Sequence, residues 1–164
     1  MQLFGDIEAK IDTKGRAFLP SVFRKALQAS GEENLFLCKD IFESCLVLYP
    51  ESVWYKQLDV VRSKLSRWNR QHQLIYRQFV SDVEMLALDG SGRILIPKRY
   101  LKMAFIDQTI EFIGLGERIE LWRPDKEKKP FMEPNDFSEA IQNILGNTFE
   151  GNFSESPLYK PRQE

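Results

Sequence analysis

The 164-residue sequence is poor in the residue types on which several classes of protein depend. It contains two cysteines and one histidine, so we expect neither a disulfide framework nor a histidine-rich metal site, and no cofactor is predicted. No apolar run approaches the roughly 18 residues that indicate a membrane-spanning helix, and no basic and apolar leader opens the chain. We therefore expect a cytoplasmic protein that has no membrane partner.

Catalytic motifs are missing as well. The sequence has no phosphate-binding P-loop and no serine nucleophile elbow, and "GLGE" at 114–117 is typical of a hairpin turn. His72 lies within an apolar helical pattern, where a packed or hydrogen-bonded side chain is expected. Cys38 and Cys45 lack a Cys-x-x-Cys spacing, and buried thiols are expected there. The sequence thus predicts no enzyme and no small-molecule substrate.

The net charge of −1 conceals an uneven distribution. Residues 10–25 contain five basic residues and one acid, residues 56–77 contain six and one, and residues 89–102 contain four and one. Residues 130–159, in contrast, contain five acids and no lysine or arginine. The total charge alone argues against binding to nucleic acid. The three basic segments, separated in sequence from an acidic C-terminal extension, are nevertheless compatible with it.

A ten-residue segment occurs twice in the chain. "IDTKGRAFLP" at 11–20 and "LDGSGRILIP" at 88–97 share aspartate, glycine, arginine and proline at the same four positions. Each copy predicts a strand, a tight turn with glycine at positive φ, a second strand and a short helix that begins at the proline. Two further strands, which form a hairpin, are predicted to close each repeat.

The segment between the repeats, residues 51–80, predicts helix because its apolar positions are spaced alternately by four and three. This seam comprises Trp54, Leu58, Val61, Leu65, Trp68, His72, Ile75 and Phe79. Asn69 can cap a second helix and turn the segment into a helical hairpin. The seam would pack against the β-barrel that the strands are expected to form, against a neighbouring subunit or against its own second half. Beyond Trp122, "DFSEAIQNIL" predicts one short helix, and the polar end from 146 onward predicts disorder.

Two copies of Asp-x-x-Gly-Arg-x-x-x-Pro, each before a short helix and a hairpin, make residues 3–125 resemble the MraZ family, which has the AbrB-like swapped-hairpin fold. "CLVLYP" and "RIELW" follow in the matching order. The resemblance implies an α+β fold, in which two tandem AbrB-like repeats form one pseudo-dimeric β-barrel with short flanking helices. The corresponding parts are a first repeat at 3–52, a helical connector at 53–80, a second repeat at 81–125 and an acidic, partly disordered extension at 126–164.

The resemblance also implies a function. The family consists of ring-forming, DNA-binding transcriptional regulators, which act on repeated promoter sites upstream of the division and cell-wall gene cluster. The implied partners are double-stranded DNA and further copies of the chain, in the cytoplasm and on the nucleoid, with repression of the promoter as the outcome. The alternative is a protein-interaction module that uses the barrel and the acidic extension without DNA.

The repeated motif supplies the candidate site. Arg16 and Arg93 carry planar forks of donors that can bind a phosphate, or the edge of guanine, in two places. Lys14 adds charge to the first turn, where the second turn has Ser91, so we expect the first turn to dominate DNA contact. Two further pairs, Asp12 with Gly15 and Asp89 with Gly92, are expected to structure the turns.

Two alternatives accompany these assignments. Each Asp–Arg pair could serve only to brace its own turn, with a contribution of about 1 kcal/mol or less if it is exposed. Arg24, Lys98 and Arg99 lie on the helices after the motifs, where they either extend the basic surface or belong to solvated helix faces.

Overall fold

The first repeat folds in the order that its sequence predicts. The computed structural model describes residues 1–154 and the side-chain surroundings of residues 1–146. The first repeat contains β1 (Leu3–Lys10), β2 (Arg16–Phe18), α1 (Ser21–Ala29), β3 (Asn34–Lys39) and β4 (Leu46–Pro50). Pro20 immediately precedes α1 with a φ of −51°, which suits the start of a helix.

The connector is a helical hairpin of α2 (Glu51–Lys64) and α3 (Arg70–Ser81). Asn69 caps α3, because its side-chain oxygen accepts a hydrogen bond of 3.1 Å from the amide of His72. The predicted cap and the predicted hairpin are therefore confirmed. The ring of Trp54 stacks on Phe36 of β3 and on Phe79 of α3, so the seam packs against both the sheet and its own second half.

The seam does not continue through the whole connector. Leu58 is buried, but Trp68 is 93% exposed and Ile75 is also largely exposed. The chain leaves helical geometry between Lys64 and Arg70, so the spacing of apolar residues no longer places later positions on the earlier face. The assignment of Trp68 to a packed seam was wrong for this reason.

The second repeat contains β5 (Val83–Ala87), β6 (Arg93–Leu95), α4 (Lys98–Met103), β7 (Thr109–Gly116) and β8 (Ile119–Trp122). All the strand pairs of the described chain are antiparallel. Six strands form one sheet in the order β1-β7-β8-β4-β3-β5, and β2 pairs with β6 in a separate two-stranded ribbon. The fold is therefore mixed α+β, as the sequence predicts.

Most of the sheet joins one repeat to the other. The pairs β1–β7, β4–β8, β3–β5 and β2–β6 each combine one strand from each repeat. Among residues 1–154 the six-stranded sheet is open, with β1 and β5 at its edges, so the expected barrel is not closed. β2 and β6, which follow the turns after β1 and β5, pair with each other outside the large sheet.

Both repeats contribute to one apolar core. Phe23 of α1, Tyr100 of α4 and Phe112 of β7 are fully buried in it. Leu19 and Ile96, which follow the ribbon strands, are fully buried as well. The ribbon is therefore anchored at both ends by the side chains that flank it, and this anchoring holds the arginine turns in place.

Residues Met1–Pro124 form one compact unit, and a second unit begins at Asp125. The second unit contains α5 (Pro134–Ser154), which is longer than the short helix predicted from "DFSEAIQNIL" and includes positions that were expected to be disordered. The rest of the predicted disorder, residues 155–164, lies outside the described residues. No helix in the described part of the chain is both long enough and apolar enough to span a bilayer.

Candidate nucleic-acid interface

Asp12 organises the first turn through three hydrogen bonds. Its Oδ1 accepts from the amides of Lys14 and Arg16, each at 2.9 Å, and its Oδ2 accepts from the Nε of Arg16 at 2.7 Å. The hydrogen bond from the Arg16 amide is the main reason that the pKa of Asp12 lies below its ordinary value, and the guanidinium of Arg16 lowers it further. The carboxylate therefore fixes the turn and orients the arginine at the same time.

The second turn repeats this arrangement at Asp89. Its Oδ1 accepts from the amides of Ser91 at 2.8 Å and Arg93 at 2.9 Å, and its Oδ2 accepts from Arg93 Nε at 2.8 Å. The pKa of Asp89 is lowered by the same causes, first of all the hydrogen bond from the Arg93 amide. The predicted turn-structuring role of both aspartates thus agrees with their geometry.

The Asp–Arg brace and a contact with DNA do not exclude each other. In the described chain, the guanidinium groups of Arg16 and Arg93 bond to their aspartates through Nε. This leaves the two terminal amino groups of each guanidinium for an external acceptor. A side chain already held at Nε loses less conformational freedom on binding than a free arginine, so the brace preorganises the fork for phosphate or guanine.

Both turns require glycine, and each turn packs against the other repeat. Gly15 has a φ of +91°, and a Cβ added there would lie 2.5 Å from the carbonyl oxygen of Ile96. Gly92 has a φ of +84°, and its added Cβ would lie 2.7 Å from Nη1 of Arg24. Each glycine also accepts a hydrogen bond from the other repeat: Ile96 N donates to the Gly15 oxygen, and Leu19 N donates to the Gly92 oxygen. The two turns are therefore held in one quasi-symmetric unit.

The ribbon presents the two arginines on a shared surface. Its register places Arg16 opposite Leu95 and Phe18 opposite Arg93, while the alternate residues, Ala17 and Ile94, are buried. Arg16 and Arg93 are diagonal neighbours on the outer face, a relation that corresponds to roughly 7–8 Å between Cα atoms. A two-stranded ribbon of this kind is narrow enough to enter the major groove of DNA.

Two apolar side chains on this face were not among the predicted site residues. Phe18 is 55% exposed and Leu95 is 53% exposed. The guanidinium of Arg93 lies 5.9 Å from the centre of the Phe18 ring, so the ring also orients the arginine. The alternation in "RAF" and "RIL" carried this signal, because a buried middle residue places its two neighbours on the outer face.

Lys98 lies beside the first turn, although it belongs to the second repeat. An open groove of about 700 Å³ is lined by Asp12 and Gly15 of that turn and by Lys98 and Lys102 of α4. Lys10, at the end of β1, also lines this groove. Lys10 and Lys102 were counted in the local charge of the sequence but were not predicted as site residues. The first turn thus has more cations around it than its own sequence supplies.

Arg24 lies against the second turn, although it belongs to the first repeat. Its Nε donates a hydrogen bond of 2.8 Å to the carbonyl oxygen of Leu19, and its guanidinium covers Gly92. Leu101 takes the corresponding place beside Gly15, where its Cδ1 would lie 3.8 Å from an added Cβ. Arg24 is half-buried against Gly92. It therefore adds positive charge next to the second turn but is not a free surface cation.

Arg99 forms its contacts away from the two arginine turns. Its guanidinium forms ion pairs with Asp82 at 2.6 Å and Glu84 at 3.2 Å, and it lies 4.3 Å from the centre of the Tyr100 ring. The hydrogen bond to Asp82 is the main reason that the pKa of Arg99 is raised. These contacts connect α4 to the start of β5 and give Arg99 a bracing role. Its contact with DNA stays a prediction that the geometry does not favour.

The described residues contain one group that could hold a metal ion, formed by Asp40, Cys45 and Glu120, whose ligand atoms lie within 4.8 Å of one another. Burial raises the pKa of Cys45 to about 12, which keeps its thiol protonated at neutral pH. Asp40 already accepts hydrogen bonds from the amides of Phe42 and Glu43 and so shapes the β3–β4 turn. Both features fit a structural role in the hairpin.

Comparisons with known proteins identify the family of this chain. Residues 3–77 and 79–142 match the family described as "MraZ protein, putative antitoxin-like". A protein of Phocaeicola vulgatus, named "Transcriptional regulator MraZ", is 56% identical over 89% of this chain and 95% of its own length. Proteins of the same name from Bacteroides fragilis and Bacteroides thetaiotaomicron are 51% and 50% identical, over 88% and 90% of this chain and 92% and 94% of their own lengths. With two matched segments that carry both Asp-locked arginine turns, the chain belongs to the MraZ family.

Proposed function

We propose that this protein is a DNA-binding transcriptional regulator whose reading surface is the β2–β6 ribbon with its two turns. The observation that carries the proposal is the pair of arginines, Arg16 and Arg93, which are each bonded at Nε to an aspartate and lie on the outer face of one ribbon. Such forks fit phosphate oxygens or the guanine edge in the major groove. The names of the curated relatives support regulation of transcription as the purpose of that binding.

The first turn contributes more of the binding than the second. Lys14 lies in the first turn, and Lys98 and Lys102 line the groove beside it. The second turn has Ser91 in place of Lys14, and Arg24 approaches it from behind. Since affinity for DNA depends on the number of phosphates that are neutralised, the larger cluster carries the larger share.

Binding is multivalent. One copy with a net charge of −1 offers a small basic patch, so we propose that a ring-like homo-oligomer engages repeated promoter sites in the division and cell-wall gene cluster and represses by covering the promoter. The exchange of strands between the repeats supports an AbrB-like, swapped-hairpin, pseudo-dimeric arrangement of each copy. Such a protein works in the cytoplasm, on the nucleoid.

A fluorescence titration of a promoter-repeat duplex at several salt concentrations tests this proposal. We expect Arg16→Ala to weaken binding by roughly 10-fold or more, in line with about 1–3 kcal/mol for an arginine that reads a base. Arg93→Ala should weaken binding less. Each substitution should also reduce the salt slope by about 1 for every phosphate contact it removes.

Arg118→Ala is the matched control, because this arginine pairs with Glu117 in the turn between β7 and β8, outside the ribbon. The assignment of the turns fails if both ribbon variants stay folded and bind DNA as the unsubstituted chain does. If the unsubstituted chain itself shows no salt-dependent binding, the rival function applies, in which the sheet and the acidic extension recruit a protein.

A further inference from the structure

The connector ends in a tip that the proposed DNA surface does not use. We define the tip as residues 64–70, "KLSRWNR", which contain three basic residues and no acid. Trp68 projects from it with 93% of its surface exposed. The guanidinium of Arg67 lies 5.9 Å from the centre of the Trp68 ring. The tip therefore combines one large apolar side chain with concentrated positive charge.

Hydrogen bonds hold the tip in a fixed shape. The amide of Ser66 donates to Nδ1 of His72 at 2.9 Å, and the hydroxyl of Ser66 accepts from the amide of Trp68 at 3.2 Å. The side chain of Gln73 donates to the Ser66 carbonyl oxygen at 3.1 Å, and Asn69 caps the helix that follows. An exposed indole on a preorganised loop loses little freedom on binding, which makes it an effective anchor in an interface.

A second surface of the chain has the opposite charge. On α5, Phe137, Ile141 and Ile144 follow one another at helical spacing, with 56%, 42% and 73% of their surfaces exposed. Glu133 precedes this ridge and Asp136 lies at its start, whereas Glu139 lies on the opposite side of the helix. No lysine or arginine occurs between residues 130 and 159. An amphipathic helix with an exposed ridge gains stability when a partner covers the ridge.

Charge decides which partner fits. Pairing α5 with the α5 of another copy would bring acids against acids, and pairing two tips would bring cations against cations. Pairing the tip with α5 brings opposite charges together around two apolar surfaces. We propose that the tip of one copy binds the acidic N-terminal part of α5 in a second copy, with Trp68 on the ridge of Phe137 and Ile141.

The charged residues complete this contact. Arg67 and Arg70 on one copy lie within the same tip as Trp68, and Glu133 and Asp136 on the other copy lie at the N-terminal end of the ridge. Each copy carries one tip and one α5, so the contact is head-to-tail and repeats from copy to copy. Such contacts close into a ring when the rotation permits and otherwise extend. This inference rests on the homo-oligomer of the proposed function and assigns its interface.

Cross-linking of mixed chains tests the contact directly. One full-length variant carries Trp68→Cys, the other carries Ile141→Cys, and a short bis-maleimide joins them. The native thiols serve as an internal control, because burial raises the pKa of both Cys38 and Cys45 to about 12. We expect a covalent dimer with one chain of each kind in the mixture and none from either variant alone. Cross-links between identical variants only, or within one chain that carries both substitutions, would overturn the proposal.

Charge reversal provides a second test of the contact between the tip and α5. We expect Arg67→Glu with Arg70→Glu to reduce the mass measured by light scattering to that of smaller species. Mixing this variant with Asp136→Lys chains should restore part of the larger assembly, which a merely misfolded tip could not do. Arg77→Glu, an exposed arginine of α3 outside the tip, is the matched control and should leave the mass unchanged.

The readouts separate this interface from the proposed function. If the tip variant keeps the full mass and still binds DNA, the interface assignment is wrong and the proposed function stands. If the unsubstituted chain is a monomer at micromolar concentration, the proposed oligomer and this interface both fail. If the tip variant keeps its mass but loses binding to a single-site duplex, the tip contacts DNA, and the proposal is overturned in favour of that role.

Discussion

At the scale of single residues, the two turn glycines occupy the same backbone conformation but have different neighbours. Gly15 faces a backbone oxygen, that of Ile96, which cannot move without shifting the strand. Gly92 faces the Arg24 side chain, which can shift more easily than a backbone oxygen, at the cost of its hydrogen bond to Leu19. Gly31, after α1, has a φ of +70° with nothing within 4 Å of an added Cβ, so it isolates the backbone strain alone.

These differences predict an order of stability for three alanine variants. Gly31→Ala should cost about 1–2 kcal/mol, the penalty of the left-handed conformation. Gly15→Ala should cost a further ~1–3 kcal/mol, as is usual for overpacking against a rigid neighbour. Gly92→Ala should lie nearer to Gly31→Ala. Urea unfolding measures all three, and equal losses for Gly15→Ala and Gly31→Ala would show that the close approach to Ile96 does not constrain the turn.

At the scale of elements, much of the local structure could be predicted because it depends on local chemistry. The Asp-x-x-Gly-Arg turns, the proline-led helices and the Asn69 cap each involve residues within about four positions of one another. Arg99 could not be placed in this way, because its partners, Asp82 and Glu84, lie 17 and 15 positions earlier in the chain. Helical spacing also failed at Trp68, since the chain leaves the helix before reaching it.

The pairing of strands could not be predicted either, because it also depends on contacts between residues distant in sequence. The sequence indicates eight strands by their alternation and turns, but alternation does not say which strand is the neighbour of which. The resemblance implied that the two repeats combine, but not which strands meet, and the structure pairs β1 with β7 and β5 with β3 across the repeats. The position of Arg24 behind the second turn follows from this exchange, and a reading of either repeat alone could not have found it.

The Asp-locked turn, as an element, predicts a dependence of stability on pH. Asp12 and Asp89 have a lowered pKa in the folded chain, so their hydrogen bonds stabilise the fold fully above the unfolded-state pKa of about 3.9 and are lost as pH falls through the folded value. We expect Asp12→Asn and Asp89→Asn to lower the melting temperature at pH 7. Between about pH 5 and pH 2, the melting temperature of these variants should decrease less than that of the unsubstituted chain.

Asp59→Asn is the control for this experiment, because Asp59 makes only a 4.0 Å ion pair with the exposed Arg62. It should change neither the melting temperature at neutral pH nor the decrease of the melting temperature between about pH 5 and pH 2. If the Asp12 and Asp89 variants melt at pH 7 as the unsubstituted chain does, then the negative charge of these side chains does not stabilise the turns, and the ion pairs with the arginines do not contribute to stability.

At the scale of the whole molecule, neither repeat can complete its own sheet. Within a repeat the large sheet retains only the β3–β4 pair or the β7–β8 pair, and the ribbon needs one strand from each half. A two-stranded hairpin alone is at best marginally stable in water. The two repeats therefore fold as one unit, and the two arginine turns exist as a pair only when both repeats are present.

A chain divided within the connector tip tests this dependence. Fragments 1–66 and 67–164 each keep one arginine turn but lose the partner strands of the other repeat. We expect each fragment alone to lack a cooperative unfolding transition, and the mixture to recover β-structure by circular dichroism and to bind promoter DNA. Recovery is expected because the four inter-repeat strand pairs can form between separate chains as they do within one. A cooperative transition from the monomeric fragment 1–66 alone would show that the first repeat is an independent domain, and that the exchange of strands is not what holds the two arginine turns on one surface.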